Sequence, residues 1–297
     1  MKLGWPRGRT PGAVAWLSVS LLALALVVVV VLALARRGVS DRCGPNWVTL
    51  GPRCCAPGQH LAQDACAGVP SSCPDGFHRS KDSSVGCVVD ERRVRYPGGS
   101  YRIGPNDWES ETVLAETGKV GPFFIDATEV TREQWNRCVT AGRCPELSVA
   151  PGEPGLPVTH VTAEEAERFC TWVRGKLPTR AQWLALTAGA SGSRFPWGQT
   201  GLVCRRAAFG LVRGPCAEGA VGPEWAGARP EGANPLGVLD MVGNVAELVN
   251  EGNGTYTVRG GSYRSQVAAD LKSWSSVAYR GPSGEVGLRC AYPDSVP

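Results

Sequence analysis

All twelve cysteines of this chain lie beyond residue 40, behind a charge-free apolar run, AVAWLSVSLLALALVVVVVLALA, from Ala13 to Ala35. An even number of cysteines, spread over a chain with 38 glycines and 23 prolines, reads as a disulfide framework made in an oxidising space. Metal binding, the competing use, fails on spacing: Cys54-Cys55 is not a metal pair, no C-x-x-C occurs, and there are only 3 histidines. At about 1.5 Å per residue, the apolar run is long enough to cross a hydrocarbon core of about 30 Å. It exceeds the roughly 7–15 apolar residues of a cleaved signal peptide, although Ala33-Leu34-Ala35 would pass as a cleavage site. Residues 13–35 are therefore expected to form an uncleaved transmembrane signal anchor. Arg36, Arg37 and Arg42 follow the run while Lys2, Arg7 and Arg9 precede it, so charge orients it poorly. The cysteines orient it better: residues 1–12 are expected in the cytoplasm, and the rest in the periplasm, at the cell surface or in a lumen.

Behind the anchor, residues 36–90 read as a module of their own. Cysteines 43, 54, 55, 66, 73 and 87 sit among turns such as Ala56-Pro57-Gly58 and Pro74-Asp75-Gly76. So few apolar residues need cross-links, and six cysteines allow 15 pairings that sequence does not choose between. A disulfide-stapled spacer is expected, with a small binding knot as the alternative. From residue 91 the texture changes. VRYPGGSYRIG (94–104) reads as a strand entering a glycine bend, and FFIDATEVT (123–131) as a strand running into a helix. Three capping boxes, Thr131-x-x-Gln134, Thr162-x-x-Glu165 and Thr179-x-x-Gln182, mark helix starts. Ala163, Ala166, Phe169, Cys170 and Val173 share one helical face. Beyond Trp183 only short apolar runs remain, so that part is expected to be irregular and poor in strands. The net charge of +4 is mild, and beyond residue 40 the basic residues are interspersed with Asp and Glu, which leaves no stripe for nucleic acid.

Seven blocks occur in order: YPGGSYRIG, PFFIDATEVTREQW, LPVTHVTAEEAERFCTWVRGKLPTRAQW, FPWG, NPLGVLDMVGNVAELV, VRGGSY and VGLRC. Together they resemble the formylglycine-generating enzyme family, or sulfatase-modifying factor domains, over about residues 92–293. The resemblance implies a single loop-rich α+β domain, here 91–297, related to the C-type-lectin fold. Active members oxidise a sulfatase cysteine to formylglycine with O₂ and a copper ion held by two cysteines. Those two positions are Ser265 and Asp270 here, and the histidine after the first is Gln266. A thiolate is the soft ligand Cu(I) needs, and neither a hydroxyl nor a carboxylate replaces it. Copper and formylglycine generation are therefore not expected. The loop Ser262, Arg264, Ser265, Gln266, Asp270 keeps its glycines, Gly260 and Gly261, without the chemistry.

The resemblance also implies a disulfide between Cys170 and Cys290. A second family disulfide would fall near Thr187 and Ser275, where both cysteines are gone. Two local pairs are expected from closeness in sequence: Cys138 with Cys144, and Cys204 with Cys216. The family's calcium site maps onto Asp240 and Glu247 by side chain, and Gly243 and Val245 by backbone carbonyl. Hard oxygens in a glycine-bent loop suit Ca²⁺; the alternative is a turn whose Asp240 and Asn244 cap the backbone. A second family calcium site is in doubt, because Ala208 stands where an asparagine is needed. His160 is expected to be a structural hydrogen-bonder, and Trp135, Trp172, Trp183 and Trp197 core residues before ligand stackers.

Two functions follow from the resemblance. One is a membrane-tethered, non-catalytic recognition domain for an envelope protein, peptide or glycan, since loops on a rigid frame carry binding. The other is an enzyme of the formylglycine-generating or siderophore-maturation type using a divergent site. The family's iron-dependent relatives draw histidines from a partner helical domain, of which this sequence shows none.

Overall fold

The computed structural model describes residues 46–295, apart from 52, 63–64, 76, 80–86, 105–114, 150–151, 200, 202 and 218. The expected cytoplasmic segment 1–12 and anchor 13–35 lie outside the described residues. Among the described residues no helix is long and apolar enough to cross a membrane.

Each capping box starts a helix. Thr131, Thr162 and Thr179 accept the N–H of Gln134, Glu165 and Gln182, whose side chains return to the cap N–H. The helices run Arg132–Thr140, Ala163–Trp172 and Arg180–Thr187. Each cap threonine satisfies backbone donors that have no intrahelical partner, typically about 1 kcal/mol per cap. Trp183 and Leu184 of the third helix enter one core with Val94, Ile125, Met241 and Val249. Trp135 and Phe169 enter another with Leu248, Leu288, Cys170 and Cys290, their rings stacked 5.6 Å apart.

An antiparallel three-stranded sheet runs in the order Ala291–Pro293, Phe123–Asp126, Arg93–Tyr96. The expected single strand over 94–104 is two, Arg93–Tyr96 and Gly99–Ile103, broken at Pro97-Gly98.

The expectation of a strand-poor C-terminal part is overturned. That part carries the largest sheet, ordered Ser276–Ala278, Thr255–Arg259, Ala246–Gly252, Val286–Gly287. Ala246–Gly252 hides because Leu248 faces one core and Val249 the other, so no polar–apolar alternation shows. The missed signal was Asn253-Gly254, which turns this strand into Thr255–Arg259 with φ of 55° and 74°, the left-handed pair a tight hairpin needs.

The cysteine-rich segment is built from three antiparallel pairs of three-residue strands, Val48–Leu50 with Arg53–Cys55, His60–Ala62 with Ala65–Ala67 and Phe77–Arg79 with Cys87–Val89, stapled by Cys55–Cys66 and Cys73–Cys87. Cys54 is also disulfide-bonded. Far from standing off as a spacer, the segment shares a core with the domain. Trp47 sits edge-on to Phe77 (4.8 Å) and to Trp225 (5.4 Å), and Ala228 closes the cluster. The Arg53 guanidinium donates to the carbonyls of Gly222 and Pro223. Two aromatics cannot make a core alone, and Trp225 supplies the rest.

All three disulfides expected in the domain are formed: Cys138–Cys144, Cys204–Cys216 and Cys170–Cys290, the last spanning 120 residues. Chain entropy makes the long closure worth about 4–5 kcal/mol and a six-residue one about 2. Replacing Cys170 and Cys290 together with alanine should therefore lower unfolding free energy by more than replacing Cys138 and Cys144, as read by urea denaturation of both variants.

Candidate functional site

The loop after strand Thr255–Arg259 begins with Gly260 and Gly261, at φ of 90° and 68°. A side chain on Gly260 would place its Cβ 2.6 Å from the Met241 carbonyl, and one on Gly261 would come 2.9 Å from Ser265 Oγ. Both positions therefore require glycine. Three backbone hydrogen bonds stitch the loop to its surroundings: Gly243 N–H donates to Gly260 O (2.9 Å), Tyr263 N–H to Asn244 O (2.9 Å), and Leu211 N–H to Tyr263 O (2.9 Å).

Inside the loop, the hydroxyls do what a turn needs. Ser265 Oγ accepts the Ser262 N–H at 3.0 Å, and Ser262 Oγ accepts the Arg264 N–H at 3.2 Å. Ser262 Oγ in turn donates to Glu285 Oε2 at 2.7 Å, and Arg264 Nε to the Tyr263 hydroxyl at 3.3 Å. Ser265 and Asp270 come together around Gly261, whose Cβ position lies 3.3 Å from the Asp270 carbonyl. Asp270 and Gln266 are exposed. Ser262, Ser265, Asp270 and Glu285, with Ser275, Ser276 and Ser283, line a cavity of about 440 Å³. All the described cysteines are in disulfides, so no thiolate is offered here among the described residues.

His160 approaches the same region, which its distance in sequence concealed. At φ 62°, its N–H donates to Ser283 O (3.0 Å), and its ring covers Gly284, whose Cβ position would lie 3.1 Å from Cε1 and 4.0 Å from the Tyr263 hydroxyl. Its Nδ1 hydrogen-bonds Thr159 Oγ1 at 3.1 Å. Of the four tryptophans, Trp135 and Trp183 are buried; Trp172 and Trp197 are partly exposed.

The positions expected for calcium occupy a second, fully buried site. Glu247 accepts from Arg289 Nε (2.6 Å) and Nη2 (2.5 Å), and Asp240, at φ 51°, accepts the Gly227 N–H at 2.5 Å. Gly243 (φ 84°) and Val245 frame the loop between them. Asn244 caps backbone, accepting the Glu224 N–H at 2.8 Å. Ala208 is buried, its carbonyl accepting the Asn244 N–H. Sequence reasoning missed Glu129: it is 1% exposed and neither carboxylate oxygen has a hydrogen-bond partner. Burial, then the charges of Asp240 and Glu247, push its pKa well above the usual carboxylate range. Burial likewise raises Asp240 and Glu247. Asp126, Glu129, Asp240 and Glu247 thus stand around one buried guanidinium, Arg289, an excess of negative charge that protons or a hard cation would balance. Among the described residues no three His, Cys, Asp or Glu side chains converge as a metal-binding group, so a cation here would draw on backbone carbonyls as well.

Removing Arg289 would leave Glu247 buried without a partner. Arg289→Met should cost about 3–5 kcal/mol, and adding Glu247→Leu to it should recover part of the loss; chemical denaturation of the single and double variants measures both.

Residues 87–293 match the family described as "Sulfatase-modifying factor enzyme 1-like domain". Hercynine oxygenase of Mycolicibacterium thermoresistibile is 31% identical over 213 residues, covering 61% of this chain and 43% of that protein. The chain thus spans less than half the length of this relative. A mouse protein named inactive C-alpha-formylglycine-generating enzyme 2 is 28% identical over 273 residues, covering 70% of this chain and 87% of its own length. The solved structure of PvdO from Pseudomonas aeruginosa shares the fold, with a TM-score of 0.55 at 17% identity, over 75% of this chain and 100% of that one.

Proposed function

The chain belongs to the sulfatase-modifying factor enzyme 1-like family, and from that premise we propose that it is a membrane-tethered, extracytoplasmic recognition domain that binds its ligand at the Gly260–Asp270 loop without formylglycine chemistry. One observation carries the reading: Ser265, at the first copper-cysteine position, spends its hydroxyl on the Ser262 N–H and so serves the shape of the loop. A cavity lies beside the loop, while the groups at the positions that the resemblance assigns to Cu(I) are a hydroxyl and a carboxylate. The disulfides support a place outside the cytoplasm, and the apolar run 13–35 supports the tether. A relative whose name calls it inactive fits the same reading.

A second reading, an enzyme with a divergent site, is favoured by the hercynine oxygenase relative and by the Ser262–Glu285 contact at the cavity wall.

A calcium ion fits the buried acidic site, where Glu129 has two unpartnered oxygens. Asp240 and Glu247 would hold it by side chain and Gly243 and Val245 by backbone, with the unpartnered carboxylate of Glu129 adding negative charge. Its role there is charge balance for a loop that anchors the Gly260–Asp270 turn through Gly243.

Both parts are tested on the full chain. After copper loading in air, a cysteine peptide should give no formylglycine aldehyde by mass spectrometry beyond the disulfide formed without protein; conversion to the aldehyde would overturn the non-catalytic reading. Calcium at 100 times its Kd should stabilise by about 2.7 kcal/mol, and Glu129→Gln should remove most of that shift. No calcium-dependent change in melting temperature would mean that protons, not calcium, balance the site.

A further inference from the structure

A second cavity, of about 760 Å³, opens at the other end of strand Ala246–Gly252 and falls within the size range of small-molecule sites. Asn250, Glu251 and Gly252 line it, whereas Ala246 lines the cavity beside the Gly260–Asp270 loop, and the two share no lining residue. Its wall includes Phe123, Leu177 and Tyr292, side chains buried in the cores that show it an apolar surface.

The charges at the wall are Glu167, Arg174, Lys176, Arg180 and Glu251. Arg180 is held by both oxygens of Glu116, which also accepts the Tyr101 hydroxyl at 2.9 Å. Glu251 accepts from Arg259 Nη2 at 2.9 Å and from the Thr257 hydroxyl at 2.6 Å, with Arg180 Nε 3.7 Å away. Those two glutamates and two arginines cancel one another. Glu167 accepts only neutral donors, Asn250 Nδ2 at 3.0 Å and the Tyr256 hydroxyl at 3.2 Å. Arg174 and Lys176 are exposed, and among the described residues neither side chain has a hydrogen-bond or ion-pair partner. The two free cations outweigh the one carboxylate that lacks a basic partner, so the cavity carries a net positive charge.

The backbone that carries these cations is fixed on both sides. Arg174 takes a left-handed φ of 66° just beyond helix Ala163–Trp172, where glycine would cost less. Its N–H donates to Thr171 O at 3.0 Å, and the Gly175 N–H to Cys170 O at 2.7 Å. A Cβ on Gly175 would come 2.8 Å from the Ala291 carbonyl, and Lys176 exchanges two backbone hydrogen bonds with Ala291, each 2.8 Å. Non-glycine residues held left-handed cluster at ligand clamps. We propose that this cavity is a site for a small organic oxyanion, a carboxylate or phosphate on an apolar body, gripped by Arg174 and Lys176 with the body against Phe123, Leu177 and Tyr292. The guanidinium offers a planar fork to the oxyanion and the ammonium a point charge. The site goes beyond the Gly260–Asp270 reading and does not depend on it.

The test uses the full chain in low-salt buffer, with benzoate and phenyl phosphate as probes and benzyl alcohol as their neutral counterpart, read by ligand-observed NMR titration. At least one anion should bind, the tighter of the two naming the oxyanion, and benzyl alcohol should bind more weakly. Arg174→Gly and Lys176→Gln should each weaken anion binding about fivefold. Glu167→Gln, which removes a negative charge from the wall, should tighten it. Arg174→Gly should also raise the melting temperature, because it releases the left-handed backbone; an arginine kept for the helix C-terminus would give the opposite sign. Thermal melts of the other two variants check that the fold is kept. Failure of both anions to bind at millimolar concentration, equal binding of benzyl alcohol, or affinity unchanged in either cation variant would overturn the proposal. So would weaker anion binding by Glu167→Gln, or a lower melting temperature for Arg174→Gly. None of these outcomes bears on the copper assay, so an error about this cavity is distinguishable from an error in the non-catalytic reading.

Discussion

Arg289 stands where four segments of the domain meet. Its guanidinium donates to both Glu247 oxygens on strand Ala246–Gly252, to the Asp126 carbonyl at 3.2 Å, and to the Leu239 carbonyl at 2.9 Å. It is fully buried, and a buried charge is costly unless its partners satisfy it. The planar fork with five donors does so here, which an ammonium could not. The neighbouring residue, Cys290, carries the long disulfide to the helix Ala163–Trp172, and its N–H donates to Asp126 Oδ2 at 2.9 Å. Covalent and ionic constraints thus fall on adjacent residues. The segment that closes the chain is held to both sheets and one helix at once.

That frame explains how the Gly260–Asp270 loop holds its position without help from the side chains at 265 and 270. The loop is positioned by backbone hydrogen bonds to 208–211 and 241–245, and by two glycines whose φ values no other residue adopts freely. None of these contacts involves the side chains at 265 and 270. Serine at 265 adds a local hydrogen bond, and aspartate at 270 faces solvent. The backbone can be retained while the side chains are replaced, because shape and chemistry rest on different atoms.

The parts legible in the sequence were those fixed by local rules. A threonine three residues before a glutamine or glutamate specified each helix start, and the short cysteine separations specified two disulfides. Cys170–Cys290, at 120 residues, was reachable only through resemblance, because closure over that distance leaves no local mark. The central sheet was missed because Leu248 and Val249 are both buried, which erases the alternation by which strands are recognised. Glu129 was missed because it acts through neighbours more than a hundred residues away, Asp240 and Glu247, whereas His160 is the hydrogen-bonder that was expected. Glu129 reads locally as one letter of DATEVT, a strand end; only the fold brings it beside Asp240 and Glu247. Thr187 shows the opposite case. It stands near a position that the resemblance assigns to a family cysteine, and its hydroxyl donates to the Trp183 carbonyl at 3.0 Å and lies against the Ser273 carbonyl at 3.5 Å.

The remaining disulfides of the domain follow a pattern that bears on evolution of the site. Cys204–Cys216 brackets Ala208 and Leu211, the segment that receives Asn244 and Tyr263 through main-chain bonds. Cys170–Cys290 secures the segment next to Arg289, and Arg289 in turn holds Glu247 at the end of the 241–245 loop. Both staples restrain the elements that hold the Gly260–Asp270 loop and neither touches the loop itself. Cross-links placed one layer out stiffen the cradle through the unfolded state and leave the cavity's lining free to change. A loop held this way takes its position from the cradle and not from the side chains at 265 and 270.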